Sequence, residues 1–281
     1  MSGAPTHTNT VAQVLNGGRI PELEPIEKAK RLAAFAAVDK FVGKDCKIIG
    51  IGSGSTVPYV VERIQSQGAE VNKDRIFLPT GFQSKELIIQ AGLNLGDVDQ
   101  HVRLDVTIDG ADEVDSDLNA IKGGGACQLR EKVLAEAADT WVMVADYRKN
   151  GTVLGENWTQ GIPIEVAPFA YAKVMYDLSR LGSPIKSDPS VSGGKILTLR
   201  MGKAKAGPVV SDNGNFIVDA PFPREMMKDP KGLLTKIKLM TGVVEVGLFC
   251  GLAKAAYFGN EDGSVTARWE GGKEERIEAE A

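Results

Sequence analysis

Asp109-Gly110-Ala111-Asp112-Glu113, Ile121-Lys122-Gly123-Gly124-Gly125-Ala126 and Arg130-Glu131-Lys132 follow one another closely in the chain. Together they place several carboxylates, one ammonium and a triple-glycine backbone within a short stretch. Carboxylates crowded at a strand end have their proton affinities driven apart, which allows acid and base roles in one pocket. Gly110 and Ala111, between the two aspartates, are small enough for a ligand to approach the backbone. Lys122 can offset negative charge developing on an oxygen. Glu131 lies about a turn and a half into a helix starting near Ala126. It is the candidate for moving a carbon-bound proton, because a semi-buried carboxylate can be tuned towards neutrality. These residues suit proton transfer on a small anionic substrate better than hydride transfer or metal hydrolysis. The plainer alternatives are a surface turn at Asp109–Asp112 and a helix-surface Glu131 paired to Arg130 or Lys132.

A second group of residues suits anion binding. Gly50-Ile51-Gly52-Ser53-Gly54-Ser55-Thr56 closes an apolar strand and opens a helix. Glycines there let backbone N–H groups approach an anion, and the helix N-terminus and hydroxyls complete the site. A dinucleotide fingerprint fails because Ser55 stands where its third glycine belongs, although Glu70 lies at a plausible ribose-contact distance. A Walker lysine is absent. Asp146-Tyr147-Arg148-Lys149 follows another apolar strand, and its basic pair either reaches a phosphate or forms a solvated loop. Pro79-Thr80-Gly81-Phe82-Gln83-Ser84 precedes a helix, with Ser84 as its expected N-cap or as a substrate-lining residue.

The elements that must position these groups alternate. Ile26–Val38 reads as an alanine-rich amphipathic helix, 46–52 as a strand, and 55–67 as a helix on the spacing of Val57, Val60, Val61 and Ile64. Strands follow at 75–79, 104–109 and 141–145, with helices at 84–91 and 127–138. This βαβ alternation predicts an α/β fold with a doubly wound, Rossmann-like parallel sheet and ligands at the carboxyl ends of its strands. Asp109, the Gly50–Thr56 loop and Asp146–Lys149 all fall at such ends. After residue 158 the order becomes β-α-β-β-α-β, as in a ferredoxin-like unit: strands at 163–166, 195–200, 216–219 and 243–249, helices at 171–181 and 230–240. The expected division is a mobile arm over 1–22 and a Rossmann-like domain over 23–158 plus 248–268. An inserted ferredoxin-like α+β domain occupies 159–247, and a frayed tail 269–281.

With 281 residues, 43% of them hydrophobic and 25% charged, the composition is that of a globular protein with a full core. The formal net charge of −4, with no basic run interleaved with aromatics, argues against nucleic-acid or anionic-membrane partners. Two histidines, His7 and His101, are too few for a histidine-rich metal site or a typical triad. Cys46, Cys127 and Cys250 are scattered, which fits reduced thiols in a cytoplasmic setting and packing roles. No apolar run reaches the length of a membrane span, and the start lacks a secretory signal.

Taken together, Gly-Ile-Gly-Ser-Gly-Ser-Thr, Asp-Gly-Ala-Asp-Glu, Ile-Lys-Gly-Gly-Gly-Ala, Arg-Glu-Lys, Ala-Asp-x-x-Lys and Gly-Val-Val-Glu-Val-Gly-Leu-Phe closely resemble ribose-5-phosphate isomerase of the A type. The likeness spans about residues 26–265, in the family's order and spacing. The resemblance implies a cofactor-free, metal-free aldose–ketose isomerase converting D-ribose 5-phosphate and D-ribulose 5-phosphate in the pentose phosphate pathway. It implies Glu131 as the base working through an enediolate, Asp109 for ring opening and proton traffic on the oxygens, and Lys122 with the Gly123, Gly124 and Gly125 amides for the enediolate oxygens. Ser53, Gly54, Ser55, Thr56, Gly110, Ala111, Asp112 and Lys149 become substrate-binding positions, with Lys30 a further phosphate contact. A homodimer or homotetramer is implied as well. Cys127 and Gln128 depart from the small or hydroxylated residues expected there. A sugar-phosphate sensor would keep the anion loops without needing Glu131, but would carry a DNA-binding segment, for which the first 25 residues are too short and polar. A dehydrogenase or group-transfer enzyme meets the failed glycine fingerprint.

Overall fold

In a computed structural model, residues 23–278 are described. The arm expected over 1–22 lies outside them, as do 279–281.

Short apolar segments buried on both faces form the central sheet, as expected for parallel strands covered by helices. These are β1 (Ile48–Ile51), β2 (Ile76–Pro79), β3 (Leu104–Asp109), β6 (Ala138–Asp146) and β12 (Ala253–Gly259), with β13 (Val265–Trp269) and β14 (Glu274–Ile277) completing it. The order is β14-β13-β12-β6-β3-β1-β2. The strands from β12 to β2 run parallel, and β13 and β14 add as antiparallel neighbours.

Helix α1 (Pro25–Phe41) buries Ala29, Ala33, Ala34, Ala37 and Val38. Small side chains let it lie close against the sheet: a Cβ added at Gly259 of β12 would fall 1.8 Å from the Ala29 carbonyl. Helix α2 (Val57–Ser66) buries Val57, Val60, Val61 and Ile64, the face given by its spacing. Helix α3 (Phe82–Gln90) starts two residues before the expected N-cap Ser84. Gly81 caps it instead, and Ser84 reaches back with Oγ 3.2 Å from the Gly81 amide. Helix α4 (Gln128–Ala137) follows the triple glycine.

Four strands form a second, antiparallel sheet: β7 (Ile162–Val166), β8 (Thr198–Leu199), β9 (Phe216–Ala220) and β10 (Val243–Val246), in the order β10-β7-β9-β8. With α5 (Tyr171–Leu181) after β7 and α6 (Pro230–Lys238) before β10, this is the ferredoxin-like arrangement. A third small sheet, β11-β5-β4, joins β4 (Glu113–Val114), β5 (Ala120–Ile121) and β11 (Leu248–Phe249).

Two further expectations change. The apolar run 243–249, read as one strand, divides at Gly247 between two sheets. Gly247 accepts from the Lys122 amide at 2.9 Å and donates to the Pro163 carbonyl at 2.7 Å. A Cβ there would meet the Lys122 carbonyl at 2.1 Å. The tail expected to fray from 269 is instead a hairpin as far as Ile277. Gly271 and Gly272 turn it with positive φ, and β14 pairs with β13 over 265–268. Its glycines and charges, read as signs of disorder, are turn residues and an edge strand. No described helix is long and apolar enough to cross a membrane.

Candidate active site

Three parallel strands end at one place. Register sets Ile51 of β1 beside Ile108 of β3, and Asp109 beside Met143 of β6. The residues after each end therefore meet, at the carboxyl edge where such sheets bind ligands. A Cβ on Gly52 would fall 2.0 Å from Asp109 Oδ1, so only glycine lets the loop after β1 lie against this carboxylate. The Ser53 amide then donates to Asp109 Oδ1 at 2.9 Å, and the Gly110 amide to the same oxygen at 2.7 Å. Asp109 is fully buried.

Lys122, carried in by β5, is 2% exposed. Its Nζ lies 3.1 Å from Asp109 Oδ2 and 3.3 Å from Glu131 Oε1, and it also donates to the Gly110 carbonyl. Burial opposes its charge, but Asp109 and Glu131 outweigh that and hold the ammonium proton above the ordinary lysine range. The Phe249 ring faces this ammonium at 5.6 Å.

Glu131 is 4% exposed, in the first turn of α4. It pairs with neither sequence neighbour: Lys132 goes to Glu245 at 2.7 Å, and Arg130 to Asn213 Oδ1 at 2.9 Å. Ser53 Oγ donates to its Oε1 at 2.5 Å, while the buried Oε2 has no hydrogen-bond partner among the described residues. Burial pushes the carboxyl up to about 7, against the pull of Lys122 and with help from Asp109. A carboxylate in that range can both take and return a proton near neutral pH.

The triple-glycine turn folds over this group. Gly123 has φ +104° and Ala126 φ +61°. The Gly124 amide donates to Asp112 Oδ2 at 2.7 Å. Burial raises Asp112, opposed by that amide and by Lys122. Arg200, beyond β8 in the ferredoxin-like unit, donates to the Gly123 and Gly124 carbonyls at 2.9 and 3.0 Å.

A cavity of about 150 Å³ opens here. Ser53, Gly54, Ser55, Thr56, Gly110, Ala111, Asp112, Lys122, Gly123, Gly124, Gly125, Glu131 and Lys149 all line it, and Asp109 lies directly behind Lys122. Lys30 does not line it; its buried ammonium pairs with Glu27 at 2.7 Å, one turn away on α1. Its charge also helps Arg148 lower Asp146, a residue of the cavity wall. Arg148 likewise turns to Asp146 at 2.7 Å, which leaves Lys149 as the cation of that loop in the cavity. Glu113, part of the acidic cluster, accepts from the Gly155, Asn157 and Trp158 amides and shapes a loop.

Sequence reasoning did not single out Ala145 and Asp146 as lining residues, nor Gln83 and Arg200 as supports. Gln83 holds both polar atoms of Gly54, accepting from its amide at 2.8 Å and donating to its carbonyl at 3.3 Å. For Asp146 the signal was present, since it ends β6 at the same carboxyl edge as Asp109. Arg200 lies in another unit, and nothing local marks it.

The family model described as Ribose 5-phosphate isomerase A (phosphoriboisomerase A) matches residues 76–263. A ribose-5-phosphate isomerase of Cryptococcus neoformans var. neoformans serotype D (strain JEC21 / ATCC MYA-565) is 71% identical over 253 residues, covering 90% of this chain and 83% of that protein. The ribose 5-phosphate isomerase A structure from Methanocaldococcus jannaschii superposes with a TM-score of 0.74 at 32% identity, over 86% of this chain and 99% of that one. A D-ribose-5-phosphate isomerase in complex with phospho-erythronic acid gives 0.75 at 33% identity, over 90% and 99%.

Proposed function

The chain belongs to the ribose 5-phosphate isomerase A family, whose members here are aldose–ketose isomerases, and from that premise we propose how its own residues carry the reaction. Glu131 removes the proton from C2 of open-chain ribose 5-phosphate. The C–H electron pair becomes the C1–C2 double bond, and the carbonyl pair moves onto O1. The Lys122 ammonium and the Gly123 and Gly125 amides face the enediolate oxygens, where fixed donors act in a water-poor site, while the Gly124 amide holds Asp112. The O2 proton passes to O1 as the C2 carbonyl forms, and Glu131 returns its proton to C1, giving ribulose 5-phosphate. Asp109, beside Lys122, serves ring opening and the proton traffic on the oxygens.

Phosphate binding is assigned to the N-terminus of α2, with Ser55, Thr56 and Lys149, where amides and hydroxyls favour an anion. Lys30, off the cavity wall and paired with Glu27, is assigned no direct contact in this reading. Asp112, Gly110 and Ala111 border the sugar. Phospho-erythronic acid, bound by the related isomerase, carries a carboxylate with the charge and planarity of an enediolate, and that supports the intermediate. A role in the pentose phosphate pathway, where these two pentose phosphates interconvert, is part of this reading. A homo-oligomeric, cytoplasmic enzyme is part of this reading on the strength of the family resemblance.

The observation that carries the proposal is Glu131: buried, tuned to about 7 and 3.3 Å from Lys122 at the cavity wall. The test is conversion of ribose 5-phosphate to ribulose 5-phosphate by purified, chelator-treated protein. The expected result is turnover in the wild type and its loss by about 10³-fold in Glu131→Gln, with substrate still bound by the variant. Full activity in Glu131→Gln removes the base assignment; tight binding by an inactive wild type identifies a sensor.

A further inference from the structure

Ser53 stands in the anion loop, where a substrate contact is expected, yet its polar atoms turn inward. Its amide donates to Asp109 Oδ1 at 2.9 Å, and its hydroxyl to Glu131 Oε1 at 2.5 Å. One residue thus bridges two carboxylates that come from different elements, β3 and α4. The close approach at Gly52 fixes the backbone from which it does so. Ser53 is only 8% exposed, so the bridge forms away from bulk water, where a hydrogen bond to a charged group is strong. Ser55 and Thr56 remain on the cavity wall to receive the anion.

We propose that Ser53 is a positioning residue for Glu131, its hydroxyl fixing the rotamer of the base and favouring the ionised carboxylate, and is not a ligand of the sugar phosphate. The assignment rests on Glu131 being the base, as argued above. A donor to a carboxylate stabilises its charged form, so Ser53 opposes the burial that raises the group. The other charged or titratable neighbours of Glu131 are Lys122 at the end of β5, Asp109 on β3, Asp112 in the loop after it and the Cys127 thiol at the start of α4. None of these donates a hydrogen bond to it; Lys122 acts at 3.3 Å through charge.

The experiment is the pH dependence of kcat and KM for Ser53→Ala, Ser53→Thr and Ser53→Cys, with Glu131→Gln alongside. Expected for Ser53→Ala is a kcat reduced at least tenfold at neutral pH, within the range of lost acid–base catalysis, and a KM close to wild type. Its acid-side inflection moves to higher pH, because the donor that favoured the carboxylate is gone. Ser53→Thr keeps a hydroxyl on the same carbon and restores both quantities. Ser53→Cys, a weaker donor, gives an intermediate inflection and keeps the test available if the alanine variant does not fold. A raised KM with kcat and the inflection unchanged overturns the proposal and makes Ser53 a substrate ligand. Full turnover in Glu131→Gln overturns this assignment together with the base on which it rests; an inactive Glu131→Gln with ligand-like Ser53 variants overturns this assignment alone.

Discussion

At the residue scale, the site places unfavourable electrostatics where the proposed reaction needs them. Glu131 is buried beside Asp109 and keeps its proton to about pH 7, well above an exposed glutamate. The consequence for stability follows from linkage. The native carboxyl binds a proton more tightly than the unfolded one. Stability from this group is therefore complete below the unfolded value near 4.5 and is lost as pH rises through about 7. Glutamine has no such loss, so Glu131→Gln, inactive, is expected to melt at a higher temperature than wild type at pH 8, by up to about 3 kcal/mol in stability. The gap should close towards pH 5, where wild-type Glu131 is already neutral. Thermal unfolding of both proteins from pH 5 to 8 checks it, and a gap that widens towards acid contradicts the buried, proton-holding carboxyl. Residue types and spacing showed Asp109, Lys122, the glycines and Glu131 as one group, because carboxylates, lysine and glycines have distinctive chemistry. They did not show that Lys30 is spent on Glu27, since which partner a long flexible ammonium takes is decided by packing.

At the element scale, α4 has to hold Glu131 at a fixed depth, and its anchor is the next residue. Lys132 is 6% exposed and donates to Glu245 Oε1 at 2.7 Å and to the Val246 carbonyl at 2.6 Å, with the Phe249 ring at 4.8 Å. The Arg-Glu-Lys and Gly-Val-Val-Glu-Val-Gly-Leu-Phe segments are thus the two halves of one buried clamp between α4 and β10. Breaking one half leaves a buried charge alone, which costs about 3–5 kcal/mol, whereas exchanging both for apolar residues can be nearly neutral. Glu245→Leu should destabilise by about that amount, Lys132→Met by less and the double variant by much less than Glu245→Leu, as urea unfolding of the three will show. Lys238 also reaches Glu245 and still pairs it in Lys132→Met, so Glu245→Leu, which strands the buried Lys132 ammonium, is the purer test of an unpaired buried charge. The elements themselves were legible wherever period and punctuation agreed: β3 and α5 occupy their expected ranges, and most others lie within a few residues. Disagreement came where a tertiary contact overrode local pattern. Gly247 breaks an unbroken apolar run because another backbone lies against it. The two-residue strands β4, β5 and β11 are too short to show a period.

At the scale of the whole molecule, β3, β5 and α4 bring in the groups assigned to the reaction, and the ferredoxin-like unit holds the loop that closes over them. Arg200 makes the junction. Its Nε donates to Asp219 Oδ2 at 2.8 Å, within its own sheet, and its Nη1 reaches across to the Gly123 and Gly124 carbonyls. Those carbonyls belong to the peptides whose amides hold Asp112 and, at Gly125, are assigned to the enediolate, so the guanidinium orients these donors from behind. Lysine cannot replace it, because one ammonium does not present a planar fork to a carboxylate and two carbonyls at once. Misplacing a catalytic group by about 1 Å costs about 10²-fold in rate. Arg200→Lys and Arg200→Ala should therefore lower kcat by about tenfold to a hundredfold and leave the acid-side inflection of Glu131 where it is, since no charge near Glu131 is removed. Global stability should fall far less than activity. Steady-state kinetics against pH, with unfolding measured on the same samples, separate this from simple destabilisation: a shifted inflection would mean that the arginine acts on the base itself, and unchanged kinetics would mean that the glycine turn needs no support from the second unit. Nothing within a few residues of Arg200 marks this role in the sequence, because the contact joins positions 77 and 76 residues apart and exists only once both units have folded against each other.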